Sequence, residues 1–314
     1  MFTRGLNGTA VAMIVNNNTG ESTPDPILRY DTEATPNETN TLVKNAMNPG
    51  GKLVSAVAPR GTEYELIPPS LTSKRERDVY FLSGRGGAGK SYLSASLMTF
   101  YRKCKKRVFV ITDIPDPKFG DCHYLDIHTL VGVNSTFEEE KRLYEAAKIK
   151  FKYRKKQLED EDDVMALEIA LHQMKPDPSK KTQMELRLSQ EKLNTLFQDS
   201  VVLFDDYENN KDAKLIGYLR DHLLTKGRHS NTSLIICNHL TNFRSDSRLI
   251  MGETSNFVLF KKNTAYSRSY FMKTYLEFTP TQIKIAQNSF KNSRWLCIDR
   301  DLDITITQQA AWAD

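Results

Sequence analysis

The sequence has few of the features that mark membrane, secreted or zinc-binding proteins. Its four cysteines are scattered through 314 residues without a C-x-x-C pair, so neither a zinc site nor a disulfide framework is predicted. No apolar run approaches the roughly 18 residues that a bilayer span requires, and the mean hydropathy is -0.51. The first 15 residues hold only a short apolar patch, with no convincing cleavage site after it. We therefore expect a soluble, cytoplasmic protein with reduced thiols.

Composition divides the chain near residue 72. Residues 1–72 are rich in Asn, Thr, Pro and Gly and offer few positions for a core, so we expect an extended or partly disordered amino-terminal arm. From residue 73 to 314, short apolar runs alternate with helical stretches, which is typical of an α/β fold whose mostly parallel sheet is flanked by helices. The predicted strands are Val79 to Ser83, Arg107 to Thr112, Val201 to Phe204, Ser233 to Cys237 and Asn256 to Lys261.

A glycine-rich loop follows the first of these strands. The stretch GRGGAGKS meets the pattern G-x-x-x-x-G-K-[ST] in full. Its backbone N–H groups can turn toward one anion, Lys90 can reach the β and γ phosphates of a nucleotide, and the Ser91 hydroxyl can bind Mg²⁺. The helical stretch that follows would direct its positive end at the same phosphates. The predicted phosphate-binding residues are Gly84, Arg85, Gly86, Gly87, Ala88, Gly89, Lys90, Ser91 and Tyr92.

Two acidic residues follow the third predicted strand. A phosphate-binding loop of this kind works with a carboxylate that holds the metal at the end of a neighbouring strand. Asp205 is predicted to serve the metal together with Ser91. Asp206 would point in another direction and could act as the general base that activates water, with Glu208 as the alternative.

Polar residues also follow the fourth predicted strand. Asn238 and His239 could contact the γ-phosphate or its water, or they could satisfy backbone groups of a loop. Arg228 precedes that strand and has two interpretations. It could neutralise the charge that develops on the transferred phosphoryl group, in a neighbouring subunit's site, or it could cap a helix or form a surface ion pair.

A long, charged insertion separates the second and third predicted strands, at residues 137–199. Val164, Leu167, Leu171 and Met174 repeat at helical spacing, and a less regular stripe runs from Leu186 to Phe197. Prolines at 176 and 178 separate the two stripes. The pattern predicts a helical hairpin whose stripes serve packing.

The chain resembles the FtsK-HerA group of P-loop ATPases, and within it the genome-packaging ATPases of large double-stranded DNA viruses and virophages. In the FtsK pattern a Gly-Arg pair precedes a strand that ends in Thr-Gln; here Gly227 and Arg228 precede a strand that ends in Asn238 and His239. The strand end at Val110 to Asp113, with its proline-rich continuation, and the Arg228-His229 pair suggest the viral branch. The resemblance covers about residues 78–303 and leaves the amino-terminal arm unexplained.

The resemblance implies a RecA/FtsK-like ATPase that uses ATP and Mg²⁺ to move double-stranded DNA into a preformed capsid. It also implies a homo-oligomeric ring, a pentamer or a hexamer, that works at a capsid or portal vertex protein, in the host cytoplasm at a viral factory or in the virion. Residues 256–300 are compatible with this, since they contain eight basic and two acidic residues. Aromatic side chains lie among these basic residues: Tyr266, Tyr270, Phe271, Phe290 and Trp295.

Other functions use the same loop. A GTPase would carry an Asn/Thr-Lys-x-Asp motif, which the sequence NKDA at residues 210–213 misses by one position. A small-molecule kinase would need an arginine-rich lid, whereas the charged insertion is rich in lysine. A DNA helicase, or a virion protein that kept the fold and lost the chemistry, are the remaining alternatives. The intact Lys90, Ser91, Asp205 and Asp206 argue against the last.

Overall fold

The computed structural model describes residues 2–3, 8–31, 55–133, 135–157, 161–176, 184–239 and 248–313. The chain divides into two compact units. The first contains residues 1–125, 190–213 and 220–314, and the second contains residues 126–189 and 214–219. The strands are β1 (Phe2–Thr3), β2 (Thr9–Asn16), β3 (Ser22–Tyr30), β4 (Ser55–Val57), β5 (Thr62–Leu66), β6 (Val79–Ser83), β7 (Arg107–Thr112), β8 (His123–Tyr124), β9 (Val131–Val133), β10 (Met184–Leu186), β11 (Ser200–Asp205), β12 (Ser233–Asn238), β13 (Asn256–Phe260), β14 (Trp295–Asp299), β15 (Ile304–Thr307) and β16 (Ala310–Ala313).

The α-helices of the described residues range from 4 to 21 residues in length. Helix α9 begins with a capping box, in which Thr279 and Gln282 each accept a backbone hydrogen bond at the first turn, and Pro280 occupies the first helical position, where no intrahelical donor is needed. The α-helices are α1 (Lys90–Lys103), α2 (Ile127–Leu130), α3 (Ser135–Lys155), α4 (Glu161–Gln173), α5 (Gln190–Phe197), α6 (Ala213–Lys226), α7 (Arg248–Glu253), α8 (Ala265–Tyr275) and α9 (Pro280–Ser289).

The first unit is built on a ten-stranded sheet with the order β4-β16-β15-β14-β13-β6-β12-β11-β7-β8. Strands β13, β6, β12, β11, β7 and β8 are parallel, and β14, β15, β16 and β4 extend the sheet antiparallel beyond β13. Every residue of β6, β11, β12 and β13 is buried, because both faces of a parallel sheet are covered. The predicted α/β P-loop fold is confirmed, and the five predicted strands agree with β6, β7, β11, β12 and β13 to within one residue at each end.

The amino-terminal segment differs from the predicted extended or partly disordered arm. Its described part supplies β1, β2, β3 and β5, which form a four-stranded antiparallel sheet with the order β1-β3-β2-β5. Val11, Ile14, Leu28 and Tyr64 are buried in one hydrophobic cluster with Leu93 of α1. The short apolar run of β2 was the signal for a strand, but the two prolines of β3 and the two glutamates of β5 concealed the strands that pair with it. Residues 4–7 and 32–54 of the predicted arm lie outside the described residues.

The second unit contains α2, α3, α4, a two-stranded antiparallel sheet of β9 and β10, and part of α6. A helical hairpin is present, but its partners differ from the predicted ones. It is formed by α3 and α4, which pack against each other and are linked by an ion pair of 2.8 Å between Lys155 and Glu168. Leu186 lies in β10, and Leu193 and Phe197 of α5 belong to the first unit. The charged sequence of α3 masked its helical period.

The basic carboxyl-terminal part at 256–314 belongs to the same ten-stranded sheet as the phosphate-binding loop. Arg268 is buried and donates hydrogen bonds to the backbone carbonyls of Lys261 and Asn263, and its guanidinium stacks on Phe290 at 4.2 Å from the ring centre. Phe271, Phe290 and Trp295 are also buried, whereas Tyr266 and Tyr270 are exposed. Within the described ranges, no helix combines the length and the apolar character that crossing a bilayer requires.

Candidate nucleotide site

The glycine-rich loop lies between the carboxyl end of β6 and the first turn of α1. Gly87 and Gly89 have φ angles of 66° and 107°, in the left-handed region that glycine adopts without steric cost. At Gly84 a Cβ atom would lie 2.9 Å from the Cβ of Ala88 and 3.1 Å from the Cβ of Phe260, so the close packing admits only glycine. The loop is therefore a preformed concave turn of backbone N–H groups at a helix amino terminus, which is an anion site.

Lys90 is held beneath this loop. Its side chain is buried, and Nζ donates a hydrogen bond of 2.8 Å to the carbonyl of Gly84. The same Nζ lies 4.0 Å from Oδ1 of Asp206 and 3.5 Å from Nδ1 of His239. An ammonium group in this position offers its positive charge to an anion in the loop.

Ser91 and Asp205 meet at the adjoining strand end. The Ser91 hydroxyl donates a hydrogen bond of 3.2 Å to Oδ2 of Asp205. Oδ1 of Asp205 is buried and accepts no hydrogen bond from the described residues, and burial and the charge of Asp206 raise the pKa of Asp205. A buried carboxylate oxygen without a donor, beside a hydroxyl, fits the oxygen ligands that Mg²⁺ prefers. These residues therefore fit the predicted metal side of the site, although the described chain holds no cluster of three or more His, Cys, Asp and Glu side chains for a metal.

Asp206 points away from Asp205. Its φ angle of 48° is left-handed, which turns its side chain out of the strand and leaves it 51% exposed. There its Oδ1 lies 2.5 Å from Nε2 of His239. The backbone N–H of His239 donates to Glu208, the alternative base, at 3.4 Å. The pairing of Asp206 with His239 is a contact that sequence reasoning did not predict.

The order of the strands explains this convergence. Strand β12 lies between β6 and β11, so Asn238 and His239 emerge between the phosphate-binding loop and the acid pair. Asn238 is buried, and its backbone carbonyl accepts a hydrogen bond of 3.1 Å from the backbone N–H of Gly84. The carboxyl ends of neighbouring parallel strands form the crevice where open α/β sheets bind ligands.

Asn263 is a site residue that sequence reasoning missed. It follows β13, the one predicted strand to which we assigned no chemistry at its end. Its side-chain amide donates a hydrogen bond of 3.0 Å to the backbone carbonyl of Ser83 and accepts one of 3.1 Å from the backbone N–H of Arg85. Asn263 therefore holds the start of the loop on both sides of Gly84. An amide three residues after a buried strand, at the same sheet edge as Asp205, was the signal that could have identified it.

Arg228 lies away from the other predicted residues of the site. It occupies a short turn at 227–230, before β12, at the opposite edge of the sheet, and six strand residues span roughly 20 Å. There it lines a cavity together with Arg75, Arg77 and Arg300. Burial is the largest influence on Arg77 and lowers its pKa. The negative charge of Glu253 opposes this shift and the positive charge of Arg228 adds to it, so the pKa of Arg77 is lowered overall. Within one chain, Arg228 is too far from Lys90 to share a ligand with it.

The loop, its lysine and the acid at the adjacent strand end meet at one edge of a parallel sheet. This is a P-loop nucleotide-binding fold. No protein-family model matches the sequence. An uncharacterized protein of the Sputnik virophage is 30% identical over 114 residues, which cover 35% of this chain and 46% of that protein. The chain thus matches about half the length of this curated relative.

Solved structures with a similar arrangement include viral packaging proteins. The genome packaging NTPase of Sulfolobus turreted icosahedral virus 2, in complex with ATP-gammaS, is 12% identical, with a TM-score of 0.40 over 74% of this chain and 97% of that one. The pCW3 conjugation coupling protein TcpA, with ATPgS, is 11% identical, with a TM-score of 0.36 over 91% of this chain and 72% of that one.

Proposed function

We propose that this protein is an ATP hydrolase that translocates double-stranded DNA and packages a viral genome into a preformed capsid. The observation that supports hydrolysis is the convergence of Lys90, Ser91, Asp205, Asp206 and His239 at one strand edge, within hydrogen-bonding or ion-pair distances of 2.5 to 4.0 Å. A binding protein needs only the loop and its lysine. A second, exposed acid beside the metal-side acid is what hydrolysis adds.

Each residue has a distinct part in this reaction. The loop N–H groups and Lys90 bind and orient the phosphates. Ser91 and Asp205 would hold Mg²⁺, which would supply positive charge to the phosphate oxygens. Asp206 accepts the proton of the attacking water at Oδ1. His239 fixes the orientation of Asp206 through its Nε2, and Asn238 anchors the loop through its carbonyl.

Arg228 completes a neighbouring subunit's site in this proposal. Since it lies at the amino-terminal edge of the sheet, roughly a strand length from the phosphate-binding loop, it can approach a phosphate only on another molecule. A homo-oligomeric ring of five or six subunits places one protomer's edge against the next protomer's loop. The similarities of the chain to a virophage protein and to a packaging NTPase are compatible with a viral protein. Its proposed partner is a capsid or portal vertex protein.

The DNA-contacting surface would use exposed cations and aromatic rings without reading bases. The exposed candidates are Lys262, which follows β13, and Tyr266, Tyr270 and Lys273 of α8. Arg268 is excluded from this surface, because it is committed to backbone carbonyls and to Phe290.

The deciding experiment measures ATP turnover by the full chain alone, with double-stranded DNA, with single-stranded DNA and with small-molecule phosphoryl acceptors. Stimulation by double-stranded DNA that weakens as salt rises supports the translocase. Stimulation by single strands alone would indicate a helicase, and stimulation by an acceptor would indicate a kinase. The absence of turnover under all conditions would contradict the proposal and leave a virion protein that binds nucleotide.

A further inference from the structure

A cavity of about 600 Å³ adjoins the phosphate-binding loop on the side away from the acid pair. It begins at Gly89 and Tyr92, at the amino end of α1, and is closed by Glu63 of β5, Arg294 and Trp295 at β14, and Gln308 after β15. Its volume is in the range of small-molecule and cofactor pockets. The resemblance to packaging ATPases gave no function to β5 or to the segment that contains it.

The strand order sets the direction in which a bound nucleotide must run. Asp205 and His239 lie on the β12 and β11 side of the loop, whereas the cavity lies on the β13 and β14 side. A triphosphate whose last phosphate faces the acids therefore extends its other end toward β13. That end carries the ribose and the base, and the cavity is the space that they meet.

The polar groups of the cavity are oriented by hydrogen bonds. The amide nitrogen of Gln308 donates 2.8 Å to Oε2 of Glu63, and its oxygen accepts 2.7 Å from the backbone N–H of Arg294. Burial raises the pKa of Glu63, as expected for a carboxylate that is partly removed from water. An oriented carboxylate within a partly apolar cavity is a specificity element for a ligand that donates hydrogen bonds.

An aromatic ring stands at the mouth of the cavity. Tyr92 is 75% exposed, although it follows the loop directly, and Trp295 contributes to the opposite wall. An exposed tyrosine is not stabilised by burial in the core, but its ring offers a face on which a planar base can stack.

We propose that this cavity binds the adenine base and the ribose of the nucleotide, with Tyr92 stacking on the base and Glu63 accepting a hydrogen bond from its exocyclic amino group. The proposal rests on the proposed function, since it assumes phosphates in the loop. It makes the amino-terminal sheet a part of the nucleotide site, through β5. Adenine presents an amino donor where guanine presents a carbonyl acceptor, so Glu63 favours ATP over GTP.

Calorimetric titration of the full chain tests this with AMP-PNP, GMP-PNP and inorganic tripolyphosphate, each with Mg²⁺. Tyr92→Ala and Glu63→Gln are each expected to raise the Kd for AMP-PNP roughly tenfold and to leave the Kd for tripolyphosphate unchanged. Glu63→Gln should also reduce the preference for AMP-PNP over GMP-PNP. Tyr153→Ala, at a tyrosine of α3 that is 71% exposed, and Glu191→Gln, at an exposed glutamate of α5, are the matched controls and should change none of the three.

The outcomes separate this proposal from the proposed function. If the Tyr92 and Glu63 variants weaken AMP-PNP and tripolyphosphate equally, or weaken neither, the base lies elsewhere and the inference is wrong. Lys90→Ala should weaken both ligands. If it weakens neither, the phosphate-binding loop does not bind phosphates, and the proposed function itself fails.

Discussion

Nε2 of His239 lies 2.5 Å from Oδ1 of Asp206, while Nδ1 of the same ring lies 3.5 Å from Nζ of Lys90. The imidazole therefore bridges the proposed general base and the lysine of the phosphate-binding loop. Because His239 follows β12 and Asp206 follows β11, this bridge joins two strand ends directly. A change at the phosphate-binding loop can therefore reach Asp206, the proposed general base, through the side chain of His239.

Asp206→Asn should leave nucleotide binding intact and stop hydrolysis. The amide has the shape of the carboxylate but cannot accept the proton of water, and general bases contribute roughly 10²- to 10⁴-fold to rates. We expect kcat to fall at least about a hundredfold, with an unchanged Kd for AMP-PNP. Glu208→Gln is the matched control and should retain turnover. If Glu208→Gln stops hydrolysis and Asp206→Asn does not, the base is Glu208.

Lys90→Ala should remove nucleotide binding and turnover together. The ammonium makes a charge-assisted contact worth about 1.5–3 kcal/mol, or roughly ten- to a hundredfold in Kd. Lys103→Ala, at an exposed lysine on the last turn of the same helix, is the control and should bind AMP-PNP normally. Normal binding by Lys90→Ala would place the phosphates outside this loop.

Gly84→Ala should impair the site by packing alone. The added methyl group would lie within about 3 Å of Ala88 and Phe260, and overpacking of this kind costs roughly 1–3 kcal/mol. The midpoint of urea unfolding and the Kd for AMP-PNP measure the effect. Gly252→Ala is the matched control outside the loop, since a methyl group there meets nothing within 4 Å. Equal behaviour of the two variants would mean that the loop does not pack tightly on Phe260.

Arg228→Ala should abolish DNA-stimulated turnover by acting across subunits. The nucleotide site of the Arg228→Ala subunit keeps every residue near Lys90, so the loss of turnover arises in the site of the neighbouring subunit. Mixing Arg228→Ala with Asp206→Asn subunits should restore part of the activity, because an intact site then receives an intact arginine. Activity of the mixtures that never exceeds that of either variant alone would show that Arg228 does not act in trans. His229→Ala, at an exposed neighbour in the same turn, is the control.

Sequence spacing predicted the residues whose chemistry is local. The loop at 84–91 and the two acids after β11 need only a strand, a turn and a helix start, and each of these is specified by consecutive residues. The helical hairpin was assigned to the wrong partners because the apolar period of α3 is hidden among charges. Asn263 escaped notice because its contacts are with Ser83 and Arg85, almost 180 residues earlier.

By itself the sequence determined that a phosphate-binding turn follows a buried strand and that an acid pair follows another, because local backbone preferences and apolar runs encode both. Only the tertiary structure decided which strand ends become neighbours. The order β13-β6-β12-β11 places His239 against Asp206. Arg228 lies at the far edge because it precedes β12, and hydrogen bonds between β5 and Gln308 bring the amino-terminal segment to the cavity beside Tyr92. Contacts between distant segments depend on sheet pairing and burial, which no short stretch of sequence specifies.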